Sequence, residues 1–369
     1  MKMLGIFFAS DNEEKLNEMT IHRTTASLPF GGRYRMIDFQ LSNCVNSGIT
    51  TIGVITKNNY SSLMDHIRMG REWDLNRKNS GITVFPPFVV NTAKEVFKGK
   101  VDALYSMFDY IKSNREEYVF ITNSNLALNM DIREMYQQHI DTGADITVLS
   151  NRKNGNTGKR MILNSGKDKR VTEILIKDTY SDEKELVSLN AYIMHKDVLC
   201  GLVETSYIRG NMDFEADILQ KKVGMLNIYH YEFKGYAAMI SDIKSYYRES
   251  MALLSPDIRN ELFYKHGKIY TKIKDSSPTI YNEGCSVSNS LIADGCIING
   301  TVENSILFRG VKVGKGAVIK NSIVMENGEI MEKAQLAYAI TDKSVTVRPG
   351  RVISGFETYP LIIVKGKTV

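Results

Sequence analysis

The residues best suited to binding chemistry are three arginines around a diglycine turn. Arg23, Arg33 and Arg35 flank the sequence Phe30-Gly31-Gly32. Guanidinium groups bind phosphate and carboxylate oxygens through paired, charge-assisted hydrogen bonds, so the cluster suits an anionic effector or a switch between domains. A solvated basic loop, or salt bridges from this loop to a second domain, would have the same composition. The sequence leaves these interpretations open.

A short acidic loop follows the first apolar run of the chain. Its sequence is Ser10-Asp11-Asn12-Glu13-Glu14-Lys15, and it contains no glycine that would let its backbone approach a phosphate closely. Carboxylates near a phosphate oppose its binding by on the order of 1 to 4 kcal/mol each, depending on the effective dielectric constant. We therefore expect this loop to repel a triphosphate, unless Glu13 and Glu14 point to solvent and another loop binds it.

The elements that must position these residues alternate along residues 1–254. Apolar strand-like runs are separated by segments with helical spacing, which predicts an α/β domain. We expect strands at residues 4–9, 51–56, 118–122, 145–149 and 188–195. We expect helices at residues 39–47, 61–68, 102–113, 132–142 and 242–254.

Residues 279–369 follow a different pattern. Aliphatic side chains recur every six residues, at Leu307, Val313, Ile319, Met325, Met331 and Ala337. The preceding positions repeat in the same way, with Lys312 as the break. A six-residue period is typical of a parallel β-helix in which each hexad forms one side of a coil; an antiparallel β-domain is the alternative. Residues 255–278 are then a linker.

Composition narrows the classes of protein. A length of 369 residues suggests two domains, and a net charge of +5 is too small and diffuse to indicate nucleic acid. No run approaches 18 apolar residues, so we expect no membrane span, and the acidic residues after the first apolar run favour a buried strand over a leader. The four cysteines form no CxxC pair, which disfavours disulfides and metal sites and suits the cytoplasm.

Two neighbouring segments carry a specific resemblance. Phe30-Gly31-Gly32-Arg33-Tyr34-Arg35-Met36-Ile37-Asp38-Phe39, followed by Leu41-Ser42-Asn43-Cys44-Val45-Asn46-Ser47-Gly48-Ile49, resembles the FGGKxRxIDFxLSNCxNSGI signature of glucose-1-phosphate adenylyltransferases. Weaker matches continue along nearly the whole chain. Residues 99–103 resemble the GTADA motif, residues 188–192 resemble SMGIY, residues 213–214 resemble the start of DFGKD, and Asp242 stands in the place of the aspartate of WRDVGT.

The resemblance implies a fold and a reaction. It implies an α/β nucleotidyltransferase (Rossmann-like) domain followed by a left-handed parallel β-helix. Enzymes of this family join glucose-1-phosphate to the α-phosphate of ATP, forming ADP-glucose for glycogen or starch and releasing pyrophosphate. They use a glycine-rich loop, basic side chains and a Mg²⁺ ion held by two aspartates, so positioning and electrostatics carry the catalysis.

The departures from the family pattern fall on the triphosphate and metal positions. Ser10 and Asp11 replace the two glycines of the family's LAGGRGTRL loop, Asn12 and Lys15 replace its arginines, and Thr25 replaces the lysine of a KP step. Asn125 replaces the metal-binding aspartate of GDH, which removes the negative charge that Mg²⁺ prefers. The second metal position is retained as Asp242. We therefore expect no metal site and no cofactor for this chain.

The sugar-phosphate positions are partly retained. Lys177 matches the lysine of the family's EKP motif, but Ile176 replaces its glutamate, and Asn190 replaces a glycine on the sugar-facing strand. Asp102 matches the aspartate of GTADA. Asp102, Lys177 and Asp242 are thus the candidates for a residual substrate pocket. Lys177 is open to two interpretations, a sugar-phosphate contact or a surface lysine.

The resemblance is greatest to the regulatory, non-catalytic GlgD-type subunits of the family. It implies a weakly active or inactive subunit that modulates a catalytic paralogue in a heterotetramer, with the arginine cluster as a site for a phosphorylated sugar. The chain could also form a homo-oligomer alone. Two alternatives are a catalytically active adenylyltransferase with an altered site, and a hexapeptide acyltransferase or scaffold. The latter is disfavoured because no histidine follows His266.

Overall fold

The structure is a computed structural model that describes residues 2–11, 13–78, 80–87, 97–152, 159–178 and 185–369. In the first part of the chain its strands are β1 (Met3–Phe8), β2 (Pro29–Phe30), β3 (Tyr34–Arg35), β4 (Thr51–Ile55), β5 (Gly81–Phe85), β6 (Tyr118–Asn123), β7 (Leu126–Leu128), β8 (Ile146–Asn151), β9 (Arg160–Ser165), β10 (Val171–Lys177), β11 (Val187–His195), β12 (Ile228–Glu232) and β13 (Ala237–Met239).

The α-helices are α1 (Glu13–Leu16), α2 (Met36–Asn46), α3 (Ser61–Ile67), α4 (Lys100–Ser106), α5 (Phe108–Ser113), α6 (Ile132–Thr142), α7 (Lys196–Ile208), α8 (Ile243–Ala252) and α9 (Pro256–Tyr264). A π-helix spans Phe214–Gln220, and 3₁₀ turns span Asn17–Met19, Thr25–Ser27 and Arg71–Trp73. None of these described helices combines the length and apolar character needed to cross a bilayer.

A central sheet organises the α/β domain. Its strand order is β10-β9-β11-β6-β1-β4-β5, with β8 beside β11 and β12 beside β8. Strand β1 pairs in parallel with both β4 and β6 and is buried throughout, because it lies in the middle of the sheet. The carboxyl ends of these parallel strands meet at one edge, where such sheets bind ligands. The α/β architecture and the buried first strand were both predicted correctly.

Two predicted segments differ in detail. The helix expected at residues 102–113 is two helices, because α4 ends in a tight turn at Met107 before α5 begins. In that turn the Met107 amide donates to the Leu104 carbonyl oxygen, three residues back. The segment expected to be a linker, residues 255–278, begins with helix α9, in which Leu262 and Phe263 are buried. Only its second part is irregular chain.

The second domain consists of three five-stranded parallel sheets that form the left-handed β-helix. Its strands are β14 (Ile280–Tyr281), β15 (Ser286–Ser288), β16 (Leu291–Ile292), β17 (Ile297–Ile298), β18 (Thr301–Glu303), β19 (Ile306–Leu307), β20 (Lys312–Val313), β21 (Val318–Lys320), β22 (Ile323–Val324), β23 (Glu329–Ile330), β24 (Gln335–Ala337), β25 (Ala339–Thr341), β26 (Thr346–Val347), β27 (Val352–Ser354) and β28 (Leu361–Ile363).

The coils are shorter than three perfect hexads. Along the second sheet Val302 pairs with Ile319, and Ile319 pairs with Leu336, so one coil takes 17 residues here. A strict six-residue count, which needs 18, therefore slips by one residue per coil. Met331, which the period placed inside, is 40% exposed, and Ala337 is half-buried. Their preceding neighbours fill the core instead, so the predicted inward positions of Met331 and Ala337 were wrong.

One corner of the β-helix is built from a repeated Asn-Ser pair. Asn289, Asn304 and Asn321 adopt left-handed backbone angles, with φ values of 39°, 45° and 45°, which asparagine tolerates better than most residues. The following serines, Ser290, Ser305 and Ser322, form a ladder. Each hydroxyl donates to a carbonyl oxygen two residues earlier and accepts the amide of the next coil, 3.1 to 3.2 Å away.

The two domains share one apolar core. Leu16 and Met19 of the first loop and Phe30 and Phe39 of the diglycine region belong to the same buried cluster as side chains of the β-helix. Those β-helix members are Ile306, Phe308, Ile323, Met325 and Ile340. The junction therefore excludes water, and any charge inside it needs a close partner. The acidic loop reaches from the sheet edge to this junction.

Candidate functional site

The main cleft lies at the carboxyl edge of the parallel strands and encloses about 290 Å³. Its lining side chains come from the end of β1, the start of α4, strands β9 to β11 and the π-helix. They are Phe8, Ser10, Asp11, Lys57, Lys98, Gly99, Lys100, Ala103, Lys159, Arg160, Met161, Ile176, Asn190, Asp213, Phe214, Glu215, Met239 and Ser241. Five of these are cationic and three are acidic, so basic groups outnumber acidic ones in this cleft.

Within the first loop, Asp11 is bound to neighbouring strands and turns. Its carboxylate accepts a hydrogen bond from Asn123 Nδ2 at 2.5 Å, and its backbone oxygen accepts one from Thr25 Oγ1 at 2.5 Å. Ser10 Oγ accepts from the Lys57 amide at 3.3 Å. The loop thus uses its polar atoms on the protein itself. Asn12, also predicted as a site position, lies outside the described residues.

The three carboxylates of this loop do not act together on the cleft. Only Asp11 lines it, because Glu14 is exposed on helix α1 and Glu13 is packed beside the loop backbone. Burial raises the pKa of Glu13, and hydrogen bonding by Ser10 and the charge of Lys57 only partly offset this rise. The expectation of three carboxylates facing a ligand was therefore wrong. What remains of that argument is the missing glycine backbone.

The two metal-binding positions expected from the resemblance are committed to backbone contacts. Asn125 Nδ2 donates to the Ile240 carbonyl oxygen at 2.9 Å, and the Ile240 amide donates back to the Asn125 oxygen at 2.8 Å. Asp242 Oδ1 accepts the Ser245 amide at 2.7 Å and caps helix α8. Neither side chain lines the cleft. This pair therefore does not fit a Mg²⁺ ion held by two carboxylates.

The remaining predicted pocket residues also lie beside the cleft. Asp102 accepts the Lys98 amide at 3.0 Å, in the first turn of α4. Along β10 the side chains alternate, so Ile176 faces the cleft while Lys177 faces a separate hollow and approaches Glu185 at 3.6 Å. Lys15 lies 3.8 Å from Asp178 at the end of the same strand. None of these three predicted side chains lines the cleft.

Each predicted arginine has an acceptor within the chain. Arg23 Nη2 donates to both carboxylate oxygens of Asp342 in the β-helix, at 2.7 and 2.8 Å, and both side chains are buried. Arg33 pairs with Asp294 at 2.9 Å, also across the domains, and is half exposed. Arg35 Nη1 donates to the Ser62 carbonyl oxygen at 2.7 Å. Burial lowers the pKa of Arg35, and the charges of Glu326 and Asp38 oppose this shift.

A second, smaller hollow opens beside these arginines. Its lining residues are His22, Arg23, Ser61, Ser62, Asp65, Lys343 and Lys365. Lys343 forms a close ion pair with Glu326, yet burial lowers the pKa of Lys343 to about 8. The hollow lies between the α/β domain and the last coils of the β-helix. Its cations are the surface on which an anion could bridge the two domains.

Comparison with known proteins assigns the chain. A family described as Nucleotidyl transferase matches residues 6–255, and one described as GlmU-like, C-terminal hexapeptide matches residues 278–358. The chain is 33% identical over 365 residues to the glycogen biosynthesis protein GlgD of Bacillus subtilis, covering 99% of this chain and 96% of that protein. It is 32% identical over 327 residues to the glucose-1-phosphate adenylyltransferase of Geobacillus stearothermophilus, covering 86% and 83%.

The chain belongs to the glucose-1-phosphate adenylyltransferase family of glycogen biosynthesis. The glucose-1-phosphate adenylyltransferase of Bacillus mycoides is also similar, with 30% identity over 356 residues, 95% of this chain and 94% of the relative. These alignments extend through both domains. The departures described above therefore lie inside an otherwise complete family fold.

Sequence reasoning missed the charged pairs inside the cleft. Lys100 stands in the place of the threonine of the family's GTADA motif, and Glu215 in the place of the glycine of DFGKD. In the fold these two side chains form a close ion pair, and beside them Lys159 Nζ lies 3.0 Å from Asp213. The signal was present as two charged residues at neutral motif positions. Their pairing was hidden because they are 115 residues apart.

Asn190 shows a departure that preserves the backbone of the family. It replaces a glycine of the SMGIY motif and has a left-handed φ of 54°, the region that favours glycine. Asparagine is among the residues that tolerate these angles, so the bulge in β11 is kept. The side chain now lines the cleft and accepts a hydrogen bond from Tyr192 at 3.3 Å. The backbone here has been retained while the cleft surface has changed.

Proposed function

We propose that this chain is a regulatory subunit, weakly active or inactive alone, that modulates a catalytic adenylyltransferase paralogue forming ADP-glucose. The observation that carries the proposal is the commitment of Asn125 and Asp242 to structural hydrogen bonds, at the two positions where the family holds Mg²⁺. Loss of one preorganised electrostatic contact costs on the order of 10²-fold in rate. Loss of the metal site together with the glycine loop supports a much larger deficit.

A second candidate function is an active adenylyltransferase with an altered site. It is favoured by the cleft itself, because Lys57, Lys98 and Arg160 remain there for an anionic substrate after Lys100 and Lys159 have paired with carboxylates. The two candidates differ in turnover. Purified protein is assayed alone with ATP, glucose-1-phosphate and Mg²⁺, beside an intact homologue. We expect ADP-glucose formation at least about 100-fold below the homologue; a rate within tenfold would overturn the regulatory proposal.

The regulatory role requires a partner. We propose a mixed tetramer with the intact paralogue of the same organism, in the cytoplasm. A subunit alters its partner's affinity only if it binds the partner's states unequally, so mixing must change the kinetics and not only the mass. Co-expressed subunits are purified together and their mass, maximal rate and effector response are measured. Absence of a mixed oligomer, or kinetics identical to those of the paralogue alone, would contradict the proposal.

The hollow beside Arg23 and Lys343 is proposed as the place where a phosphorylated sugar acts. It is lined by cations of both domains, and a phosphate there would connect the acidic loop region to the β-helix. Lys365→Ala and His22→Ala in the mixed tetramer are expected to weaken activation by sugar phosphates about tenfold or more without changing the rate in their absence. Lys312→Ala, on an exposed face of the β-helix, is the matched control. An unchanged activation constant in both variants would exclude this hollow.

A further inference from the structure

The cleft contains a lysine that takes the place of an external cation. Lys100, at the start of α4, extends into the cleft and forms a close ion pair with Glu215 of the π-helix. Its ammonium also lies 5.4 Å from the centre of the Phe8 ring, at the end of β1 where the acidic loop begins. The ammonium is therefore held between the first strand and the opposite wall.

Three carboxylates share this ammonium. Burial alone would lower the pKa of Lys100, but the charges of Glu215, Asp11 and Asp213 outweigh it and raise the pKa. Tyr192 OH donates to the same Glu215 oxygen at 3.3 Å. The two side chains of the pair are 20% and 15% exposed, so the charges lie well below the surface. Without Lys100 these carboxylates would face one another across a partly buried cleft, which is costly.

We propose that Lys100 is a tethered cation that neutralises the cleft carboxylates, so that the cleft keeps its charge balance without a divalent metal ion. Two observations converge on this proposal. The positions where the family holds Mg²⁺ do not fit the ion here, and two motif positions that are neutral in the family carry a mutually compensating Lys100 and Glu215. The departures from the family are thus paired changes that exchange a metal charge for a side-chain charge.

The proposal concerns the charge balance of this chain alone. It holds whether or not the chain regulates a partner, so its test is separate from the assays above. It requires that removal of Lys100 leave a cleft short of one positive charge. A small divalent ion is the external species that best supplies such a charge to oxygen ligands.

The experiment uses the full-length protein and measures thermal unfolding in EDTA and in millimolar Mg²⁺ or Mn²⁺. We expect wild type to unfold at the same temperature in all three. Lys100→Met removes the charge and keeps the chain length; we expect its Tm to fall by about 3–8 °C in EDTA and to recover partly with either ion. Titration of Lys100→Met with Mn²⁺, followed by electron paramagnetic resonance, should show saturable binding that wild type lacks.

Matched variants separate this role from simple loss of an ion pair. Lys221→Met removes a comparable pair with Asp217 at 2.7 Å on the neighbouring helical surface, and we expect no metal response from it. Lys100→Met with Glu215→Gln should lose most of the metal response, because one of the three carboxylates no longer carries charge. Lys100→Arg, which keeps the charge and guards against a variant that fails to fold, should behave as wild type. Metal-stabilised wild type, or a Lys100→Met protein indifferent to metal, would overturn the proposal.

Discussion

The cleft and the domain junction handle buried charge in opposite ways. At the junction Arg23 and Asp342 form a two-pronged pair whose side chains are 3% and 4% exposed. In the cleft Lys100 and Glu215 form a more accessible pair, shared with further carboxylates. The junction pair holds two domains of one fold together. The cleft pair occupies space that the family uses for substrates, so the fold has been retained where it supports assembly and altered where it supports catalysis.

The difference also separates two kinds of departure from the family pattern. In the cleft, neutral motif positions have become charged, and the new charges neutralise each other. At the junction, the diglycine region keeps its sequence and packs with the β-helix in one apolar cluster. A chain selected only to fold would have no reason to keep a basic hollow between its domains. This contrast is what the following substitutions test, in order of expected size.

Breaking the junction pair should have the largest effect on stability. Asp342→Ala leaves the Arg23 guanidinium buried without its carboxylate, and we expect the free energy of unfolding to fall by about 3–5 kcal/mol. Urea unfolding, followed by fluorescence, measures the change. Arg23→Met combined with Asp342→Leu should recover much of the loss, because neither charge then remains buried. If the single and double variants are equally unstable, the pair itself is not the cause.

The β-helix core gives a prediction almost as large. Ile330 is buried and Met331 is 40% exposed, although the six-residue period favoured Met331 as the core residue. Ile330→Ala should cost about 2–5 kcal/mol, whereas Met331→Ala should change stability by less than about 1 kcal/mol. The two proteins are compared by urea unfolding under identical conditions. Equal losses would mean that the coil length of 17 residues is incorrect.

These positions also show which parts of the molecule can be predicted from sequence. Helix α6 was predicted with its observed bounds, because Asp131 caps its first turn and Gly143 adopts a left-handed φ of 59° at its end. The β-helix was predicted from its period, but the inward residue of each later coil was not, because a coil of 17 residues cannot be counted in sixes. Local signals determine elements, whereas register depends on corners.

The candidate site was predictable only in part, for a related reason. The positions that depart from the family, such as Asn125, could be found by inspection of a motif. The partners they acquire could not, because Asn125 bonds to Ile240 and Asp11 bonds to Asn123, each more than a hundred residues away. The same distance hid the pair of Lys100 with Glu215. Alternation along a strand was visible, yet which face of β10 meets the cleft depends on the sheet order.

Acid should weaken the junction. Although burial opposes it, the charges of Lys343, Lys274 and Arg35 lower the pKa of Glu326 from 4.5 to about 2. A carboxyl group with a lowered folded-state pKa stabilises the protein above pH 4.5 and loses this contribution as the pH falls toward 2. Glu326→Gln should therefore reduce the acid-dependent loss of stability in this window by about 1–3 kcal/mol. Unfolding free energies at pH 6, 4 and 3 give the slope; parallel slopes in wild type and variant would contradict the assignment.

The cleft loop should respond with the opposite sign and a smaller effect. The folded-state pKa of Glu13 is raised by burial, so the ionised side chain is disfavoured in the folded state and stability is lost as pH rises through that pKa. Glu13→Gln removes the charge and should raise Tm at pH 7, with no gain at pH 3. Glu14→Gln, on the exposed side of the same short helix, is the control and should change neither value. A fall in Tm at pH 7 for Glu13→Gln would contradict the burial of its charge.

The serine ladder of the β-helix has a further consequence, for how such a domain stops. Each rung, from Ser290 to Ser305 to Ser322, presents a hydroxyl that receives the amide of the coil above, so every coil is a template for the next. At the next corner Tyr338-Ala339 replaces Asn-Ser, and Ala339 receives no hydroxyl to pass on. The following coil lengthens to 22 residues between Ile340 and Ile362. The chain thus carries its own terminator: a stack whose every layer invites another ends where the molecular ruler runs out of rungs, which keeps a repetitive domain finite and its last edge irregular.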